Sequence, residues 1–332
     1  MIEVILLIVS IAAGIGGTIF YYFFYLKKSP QPTPPPPQPT PPPQPTPPPQ
    51  PTPPKSTSSV CQDPKYICHL ERCETRNLFS PKICTTLEFN PDTAQIYLSK
   101  TVSYSELNSL SENALKAAFL NSVLWPNGSR IRVGFARDND YSAVKADWVK
   151  QSVNKYLAPL VNLTFVWDYQ PVENADIRIT FNPSHGAYSA MGTQCLFFPK
   201  TEPTMNLGWL DNDYDYDFYE ARGMATVVIH EFGHALGMIH EHMRDDATLP
   251  WNCQKVYDSL CCRPNSWTRE DIIKNVFQSV GLSKLSGSRY DPASIMHYYF
   301  PNEYFTQAVN LPHNIVLSEQ DKEWLRKTYP KT

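Results

Sequence analysis

Three histidines and a glutamate lie close together in the segment HEFGHALGMIH, which runs from His230 to His240. His230 and His234 are four residues apart, so their imidazoles project from one face if the segment is helical. Gly237 can adopt the positive φ that ends a helix in a sharp turn, and such a turn brings His240 back toward the first two histidines. The spacing therefore predicts that His230, His234 and His240 bind one metal ion.

Glu231 adjoins the first of these histidines. Three imidazole ligands leave the fourth position of a tetrahedral zinc site open to water, as in catalytic rather than structural zinc sites. A carboxylate beside that position can accept a proton from the attacking water. The motif therefore predicts one catalytic Zn²⁺ ion as the cofactor and Glu231 as the general base of a hydrolytic reaction.

The motif resembles HExxHxxGxxH of the metzincin zinc proteases at every fixed position, and SIMHY, from Ser294 to Tyr298, resembles the Met-turn of their astacin-like branch. The resemblance implies that Met296 lies beneath the three histidines and that Tyr298 is a further zinc ligand that moves away when substrate binds. It implies a zinc endopeptidase that hydrolyses peptide bonds in protein or peptide substrates. Tyr298 is then a second catalytic residue, because a phenol can donate a hydrogen bond to an oxyanion.

The chain departs from the astacin pattern just after the second metal histidine. Met238 stands where classical astacins place Phe, and Met243-Arg244-Asp245-Asp246 differs from their arginine-rich stretch. Glu241 matches the astacin glutamate that meets the processed N-terminus, although no processing site is evident. His242 and His297 adjoin motif residues, but the set of three ligands is already complete, which favours supporting or surface positions for both.

Residue patterns around the motif predict an α+β fold. The expected domain is metzincin-like, with a mixed twisted sheet, the active-site helix above the cleft and a smaller, mostly irregular or helical lower subdomain after Gly237. Alternation of apolar and polar residues predicts the strands, and apolar residues at helical spacing predict the helices. Strands are predicted at Arg130–Arg137, Leu163–Tyr169 and Ala175–Phe181, and helices at Tyr141–Leu157, Met224–Gly237 and from Ser318 to Lys327.

A further strand is predicted in the segment TMNLGW, from Thr204 to Trp209. We expect it at the edge of the sheet, where an extended substrate could pair with its main chain. The residues assigned to this contact are Asn206, Leu207, Gly208 and Trp209. The acidic stretch from Asp211 to Asp217 lacks the glycine and the terminal glutamate of an EF-hand, which favours a solvated loop over a calcium site.

Three segments precede the predicted peptidase domain, which we place at residues 101–332. Residues 1–28 contain an uncharged run from Val4 to Leu26, long enough to cross a bilayer as one transmembrane helix, and no cleavage site follows it. Residues 29–59 are rich in Pro, Gln and Thr and predict an extended stalk. Residues 60–100 form a Cys-rich module or a prosegment.

The eight cysteines are an even number, which favours a disulfide framework and an oxidising compartment. The four from Cys61 to Cys84 are expected to pair locally, and the four from Cys195 to Cys262 to brace the peptidase domain.

The orientation in the membrane is predicted from two conflicting signals. The cysteines favour a catalytic domain outside the cytoplasm, whereas Lys27 and Lys28 after the apolar run would place it in the cytosol by the positive-inside tendency. We predict a single-pass membrane protein with its catalytic domain outside the cytoplasm, at a cell surface, in a lumen or on a virion envelope. A net charge of −3 gives no reason to expect nucleic acid as a partner.

Two alternatives to an active peptidase remain open. One is a binding protein that keeps the metzincin fold without activity, although the intact Glu231 argues against it. The other is an envelope or adhesion protein with a structural zinc ion, in which Tyr298 would be a permanent fourth ligand.

Overall fold

The structure is a computed structural model that describes residues 3–13, 17–27, 57–68, 85–86, 122–210, 225–262, 265–279 and 288–331. Residues 29–56 of the predicted stalk, Cys73, Cys84 and the acidic stretch from Asp211 to Asp217 lie outside the described residues. The chain divides into two compact units, Met1–Thr52 and Pro53–Thr332.

The first unit contains two antiparallel strands, β1 (Glu3–Ala13) and β2 (Gly17–Lys27), in which Glu3 is paired with Lys27. The predicted transmembrane helix is therefore wrong. Among the described residues, no helix is long and apolar enough to cross a membrane. The β-branched and aromatic residues of both segments favour strands, and the glycines between them disfavour a continuous helix.

The second unit contains a mixed six-stranded sheet in the order β3-β7-β8-β6-β4-β5. All neighbouring strands are parallel except β7 and β8, which are antiparallel. The strands are β3 (Thr85–Thr86), β4 (Arg130–Phe135), β5 (Thr164–Val166), β6 (Ile177–Thr180), β7 (Ala187–Ser189) and β8 (Met205–Leu207).

The strand β8 was predicted at the sheet edge, and that prediction is wrong. β8 lies inside the sheet, between β6 and β7. Asn206 is fully buried, and its side-chain amide donates to the carbonyl oxygens of Asn182 and Gly186 at 3.0 and 2.7 Å. Residues 206 and 207 therefore hold the sheet together and have no main-chain edge for a substrate.

Five α-helices are described in the second unit, and their caps explain where two of them begin. Ser142 accepts a hydrogen bond from the Lys145 amide at the first helix, and Ser318 forms a capping box with Asp321 at the last. The helices are α1 (Ala143–Tyr156), α2 (Ala225–Ala235), α3 (Cys253–Leu260), α4 (Arg269–Ile272), which continues into the π-helical turn Ile273–Phe277, and α5 (Glu319–Thr328).

Two apolar clusters form the core of this unit. The first lies between the sheet and helices α1 and α2, and includes Ile131, Ile179, Trp148 and Phe232. The second is built mostly from residues after Gly237, around α3, α4 and the aromatic residues Trp251, Tyr257, Phe277, Phe300 and Tyr304. The first cluster also includes Met296 and Leu325, which were predicted in the lower part, so the two clusters do not divide at Gly237 as predicted.

Two disulfides join the N-terminal segment to the second cluster. Cys61 is bonded to Cys253 and Cys68 to Cys261, across 192 and 193 residues of sequence. We call residues 57–68 the strap. Cys262 is also disulfide-bonded, whereas Cys195 is a buried free thiol.

The prediction of local pairing is therefore wrong for Cys61 and Cys68, and Cys195 does not brace the domain. Hydrogen bonds fix the strap in place as well. The Tyr257 hydroxyl donates to the Cys61 carbonyl at 2.9 Å, and Arg269 donates to the carbonyls of Tyr66 and Gln62. These contacts hold the strap against α3 and α4. The closeness of the cysteines in sequence suggested local pairing and gave no sign of these distant partners.

Candidate active site

Helix α2 carries the first two metal histidines and ends at the glycine that returns the third. His230 and His234 project from one face, with ring centroids 4.8 Å apart. Gly237 has a φ of 95°, and the amide of the next residue donates back to the Gly233 carbonyl at 2.9 Å. This is the geometry of a glycine-terminated helix, and it brings His240 beside the other two histidines.

The three Nε2 atoms converge on one point. They are separated by 3.2 Å between His230 and His240, 3.2 Å between His234 and His230, and 3.0 Å between His234 and His240. A tetrahedral zinc ion with Zn–N bonds of about 2.0 to 2.1 Å requires nitrogens about 3.3 Å apart. Among the described residues, these histidines form the one group of three or more potential ligands. The donor set therefore fits one zinc ion.

Two backbone carbonyls set the tautomer of the histidines on α2. The Nδ1 atoms of His230 and His234 donate to the carbonyl oxygens of Ile295 and Met238, each at 2.8 Å. A carbonyl can only accept, so Nδ1 carries the hydrogen and the Nε2 lone pair faces the metal position. Burial lowers the pKa of His230 to about 4, which keeps the imidazole neutral and able to bind a cation.

Glu231 is buried beside this group and forms part of the cleft wall together with His230 and Tyr298. The residue predicted as the general base therefore lies on α2 in the wall of the cleft, where it is 1% exposed.

The Met-turn lies against α2 at a glycine. A Cβ atom at Gly233 would lie 2.5 Å from the Met296 sulfur, so only glycine allows this close approach without movement of Met296. Asp321 of α5 accepts hydrogen bonds from the Ser294 hydroxyl at 2.6 Å and the Ile295 amide at 2.8 Å. The same Asp321 that completes the helix cap thus fixes the Met-turn, and the Ile295 carbonyl in turn orients His230.

Tyr298 places its ring next to the metal histidines, with its centroid 4.1 Å from that of His240 and 6.1 Å from that of His230. The neighbouring His242 and His297 do not belong to the converging group. The Nε2 atom of His242 lies 2.9 Å from the Asn275 carbonyl, and His297 bonds to the Tyr290 hydroxyl at 2.7 Å. Both occupy supporting positions.

The cleft at this site has a volume of about 330 Å³. Trp209 lies in its wall, whereas Asn206 and Leu207 are buried in the sheet. Sequence reasoning assigned no role to several lining residues. Thr226 and Val227 precede the motif on α2, Ile295 and Tyr299 lie within or next to SIMHY, and His313 and Asn314 come from a segment without a motif.

No family model and no curated protein sequence matches this chain. Solved structures do match it. The structure of myroilysin is 36% identical over 64% of this chain and 98% of the myroilysin chain, with a TM-score of 0.57. This identity, over nearly all of the relative and together with the three converging histidines, decides the family. The chain belongs to the astacin-like zinc metalloproteases.

Two further structures are similar to this astacin-like protease. A second crystal structure of myroilysin is 30% identical, covers 81% of this chain and 96% of the other, and has a TM-score of 0.49. High choriolytic enzyme 1, a hatching-enzyme zinc protease from the medaka fish Oryzias latipes, is 17% identical over 62% of this chain and 94% of its own, with a TM-score of 0.40. On the match to the first myroilysin structure and the three converging histidines, the chain is a zinc metalloendopeptidase with one catalytic zinc ion.

Proposed function

We propose that Glu231 is the general base of this peptidase and that His230, His234 and His240 hold its zinc ion. The observation that supports this assignment is the convergence of three Nε2 atoms within 3.2 Å of one another beside a buried glutamate in the wall of an open cleft. Zinc, when bound, polarises the scissile carbonyl and lowers the pKa of the attacking water.

Glu231 takes part in two proton transfers in this mechanism. Its carboxylate accepts a proton from water as the water attacks the carbonyl carbon, and the carboxylic acid then donates that proton to the leaving amine. The base is therefore regenerated in each turnover. A buried carboxylate is suited to this role, because water is excluded and the transferred proton stays within the site.

Tyr298 and Met296 complete the proposed machinery. The Tyr298 hydroxyl donates a hydrogen bond to the oxyanion that forms on the attacked carbonyl. Met296 is the floor beneath the histidines, where the polarisable thioether fills the space that Gly233 leaves open. The three histidines fit zinc without either residue. Tyr298 therefore acts on the negative charge of the oxyanion, and Met296 on the geometry of the histidines above it.

The substrate is a protein or peptide whose side chains meet a mainly neutral cleft. Its walls include Trp209, Tyr299, Val227 and Ile295. The side-chain amide of Asn314 donates to the carbonyls of residues 292 and 294, so its hydrogens are not directed at a substrate. We infer a preference for large uncharged side chains next to the scissile bond.

The site of action is an oxidising compartment outside the cytoplasm, because disulfides such as those of the strap persist there. We keep the proposed division into a stalk at residues 29–59, a Cys-rich module or prosegment at 60–100 and the peptidase domain at 101–332. The strap covers the end of the stalk and the start of the Cys-rich module by sequence, and its contacts join it to the peptidase domain.

The variant Glu231→Gln tests the proposed function. It deletes the base and none of the ligands, so we expect zinc to remain at one ion per chain while kcat falls by about 10²- to 10⁴-fold. Zinc content is measured by atomic emission and turnover with a quenched fluorescent peptide. Glu303→Gln, an exposed site away from the cleft, serves as the matched control.

Undiminished turnover in Glu231→Gln would remove the base from the mechanism. A parent enzyme that holds stoichiometric zinc but cleaves no peptide would favour the inactive binding protein or the envelope protein with a structural zinc ion. In the structural case, loss of the Tyr298 hydroxyl should also weaken zinc retention.

A further inference from the structure

The ring of Tyr298 contacts two histidines, of which only one is a proposed metal ligand. The centroid of His240 is 4.1 Å from that of Tyr298, at an interplanar angle of 50°. The centroid of His242 is 4.4 Å from that of Tyr298 at 28°, which is a stacked arrangement, and it lies 5.4 Å from the centroid of His240. The two histidines therefore lie on adjacent sides of the proposed oxyanion donor, and His242 alone of the two stacks on its ring.

His242 has its own fixed support. Its Nε2 atom donates to the Asn275 carbonyl oxygen at 2.9 Å, and a carbonyl can only accept. Asn275 is part of the π-helical turn Ile273–Phe277, and its side-chain amide donates to the Asp271 carbonyl at 2.9 Å. Such wide turns are rare and occur frequently at functional sites. The turn gives the imidazole one orientation, with its flat face toward Tyr298.

The residue type at this position is not explained by packing alone. His242 is 4% exposed, and among the described residues its Nδ1 atom has no hydrogen-bond partner. A buried polar atom without a partner costs about 1 to 3 kcal/mol, which a purely apolar side chain would avoid. Phe300 meets the ring edge-on at 5.1 Å, so an apolar surface for a larger hydrophobic residue is present.

We propose that His242 is a positioning residue that confines the Tyr298 ring, so that the hydroxyl reaches the oxyanion as it forms. The inference rests on the role proposed for Tyr298. Without the stacked His242 ring the phenol could tilt into the space that this imidazole fills, whereas with His242 in place that movement is blocked. His242 then affects the reaction without touching substrate or metal.

A double-mutant cycle tests this coupling. His242→Ala, Tyr298→Phe and the double variant are compared with the parent enzyme for kcat, KM and zinc content on one peptide. We expect His242→Ala to lower kcat by about tenfold, as contacting residues commonly couple to this degree, with KM and zinc content unchanged. In the Tyr298→Phe background the same substitution should change kcat by less than about twofold.

Two further variants separate positioning from loss of stability. His242→Phe keeps an aromatic face toward Tyr298 and should retain more of the parent kcat than His242→Ala. Phe305→Leu alters the same apolar cluster, where Phe305 packs on Trp251, and has no described ring contact with Tyr298. It should lower the melting temperature without the fall in kcat.

The possible failures are distinguishable. Equal losses of kcat from His242→Ala in both backgrounds, or no loss in either, would overturn the positioning role and leave Tyr298 as the oxyanion donor. A fall in zinc content in His242→Ala would assign the residue to metal retention instead. If Tyr298→Phe is as active as the parent, the role of Tyr298 fails and that of His242 fails with it.

Discussion

The backbone carbonyl beside His230 or His242 determines which ring nitrogen donates a hydrogen bond and which one keeps a free lone pair. His230 bonds to the Ile295 carbonyl through Nδ1, and His242 bonds to the Asn275 carbonyl through Nε2. The first arrangement directs the Nε2 lone pair at the metal, and the second consumes Nε2 as a donor. Neighbouring histidines of the same motif region therefore have different roles for a reason that the sequence alone does not contain.

Cys195 provides a prediction at the same scale. Burial raises the pKa of its thiol to about 12, so at pH 8 only about one molecule in 10⁴ carries the reactive thiolate. We expect no alkylation of Cys195 by iodoacetamide at pH 8 in the native enzyme, and full alkylation in denaturant, as read by peptide mass mapping. Rapid labelling of the native protein would contradict the buried, protonated state.

Elements with a strong local pattern were predicted well. The helix predicted at Tyr141–Leu157 is observed at Ala143–Tyr156, and the strand predicted at Arg130–Arg137 is observed at Arg130–Phe135. The cap at Ser318 begins α5 as expected. In these segments periodicity and capping act over a few residues, and the sequence therefore contains the information that fixes them.

Predictions that depended on distant partners failed. β8 was recognised as a strand, but its interior position depends on β6 and β7, which pair with it through contacts that no local pattern reveals. The partner of Cys61 is 192 residues away. At the site, the three histidines and Glu231 came from one motif, whereas His313 and Asn314 reach the cleft only through the fold.

The strap disulfides provide a prediction at the scale of elements. Removing the Cys61 to Cys253 bond with paired Ser substitutions should lower the free energy of unfolding by about 2 to 4 kcal/mol, because with the Cys68 to Cys261 bond still in place this bond closes a further ring of about 17 residues in the unfolded chain. Urea denaturation measures this change. Cys195→Ala is the matched control, since it removes a buried cysteine but no cross-link, and a comparable loss in the control would contradict the interpretation.

At the scale of the whole catalytic unit, the zinc site joins the two apolar clusters. His230 and His234 come from α2, which packs on the sheet, whereas His240 follows the turn at Gly237 and leads into the second cluster. The backbone of Glu241 also bonds to the Met296 carbonyl at 3.0 Å. A bound zinc ion would thus connect α2 to the chain that follows Gly237 through its ligands.

This connection predicts a zinc-dependent melting temperature. Free zinc at about 100 times its Kd should stabilise the fold by about 2.7 kcal/mol, or about 5 to 10 °C for a domain of this size. Differential scanning calorimetry of chelated and zinc-loaded enzyme measures the shift. Glu231→Gln should keep it and His240→Ala should lose it. An equal shift in His240→Ala would mean that zinc acts elsewhere.

The strap also determines the covalent topology of the protein. A peptide bond cut anywhere between Cys68 and Ser122 would divide the chain into two polypeptides that the bonds to Cys253 and Cys261 still hold together. Processing in this interval would therefore produce a two-chain enzyme. Everything on the N-terminal side of the cut would stay attached to the catalytic unit until the disulfides were reduced.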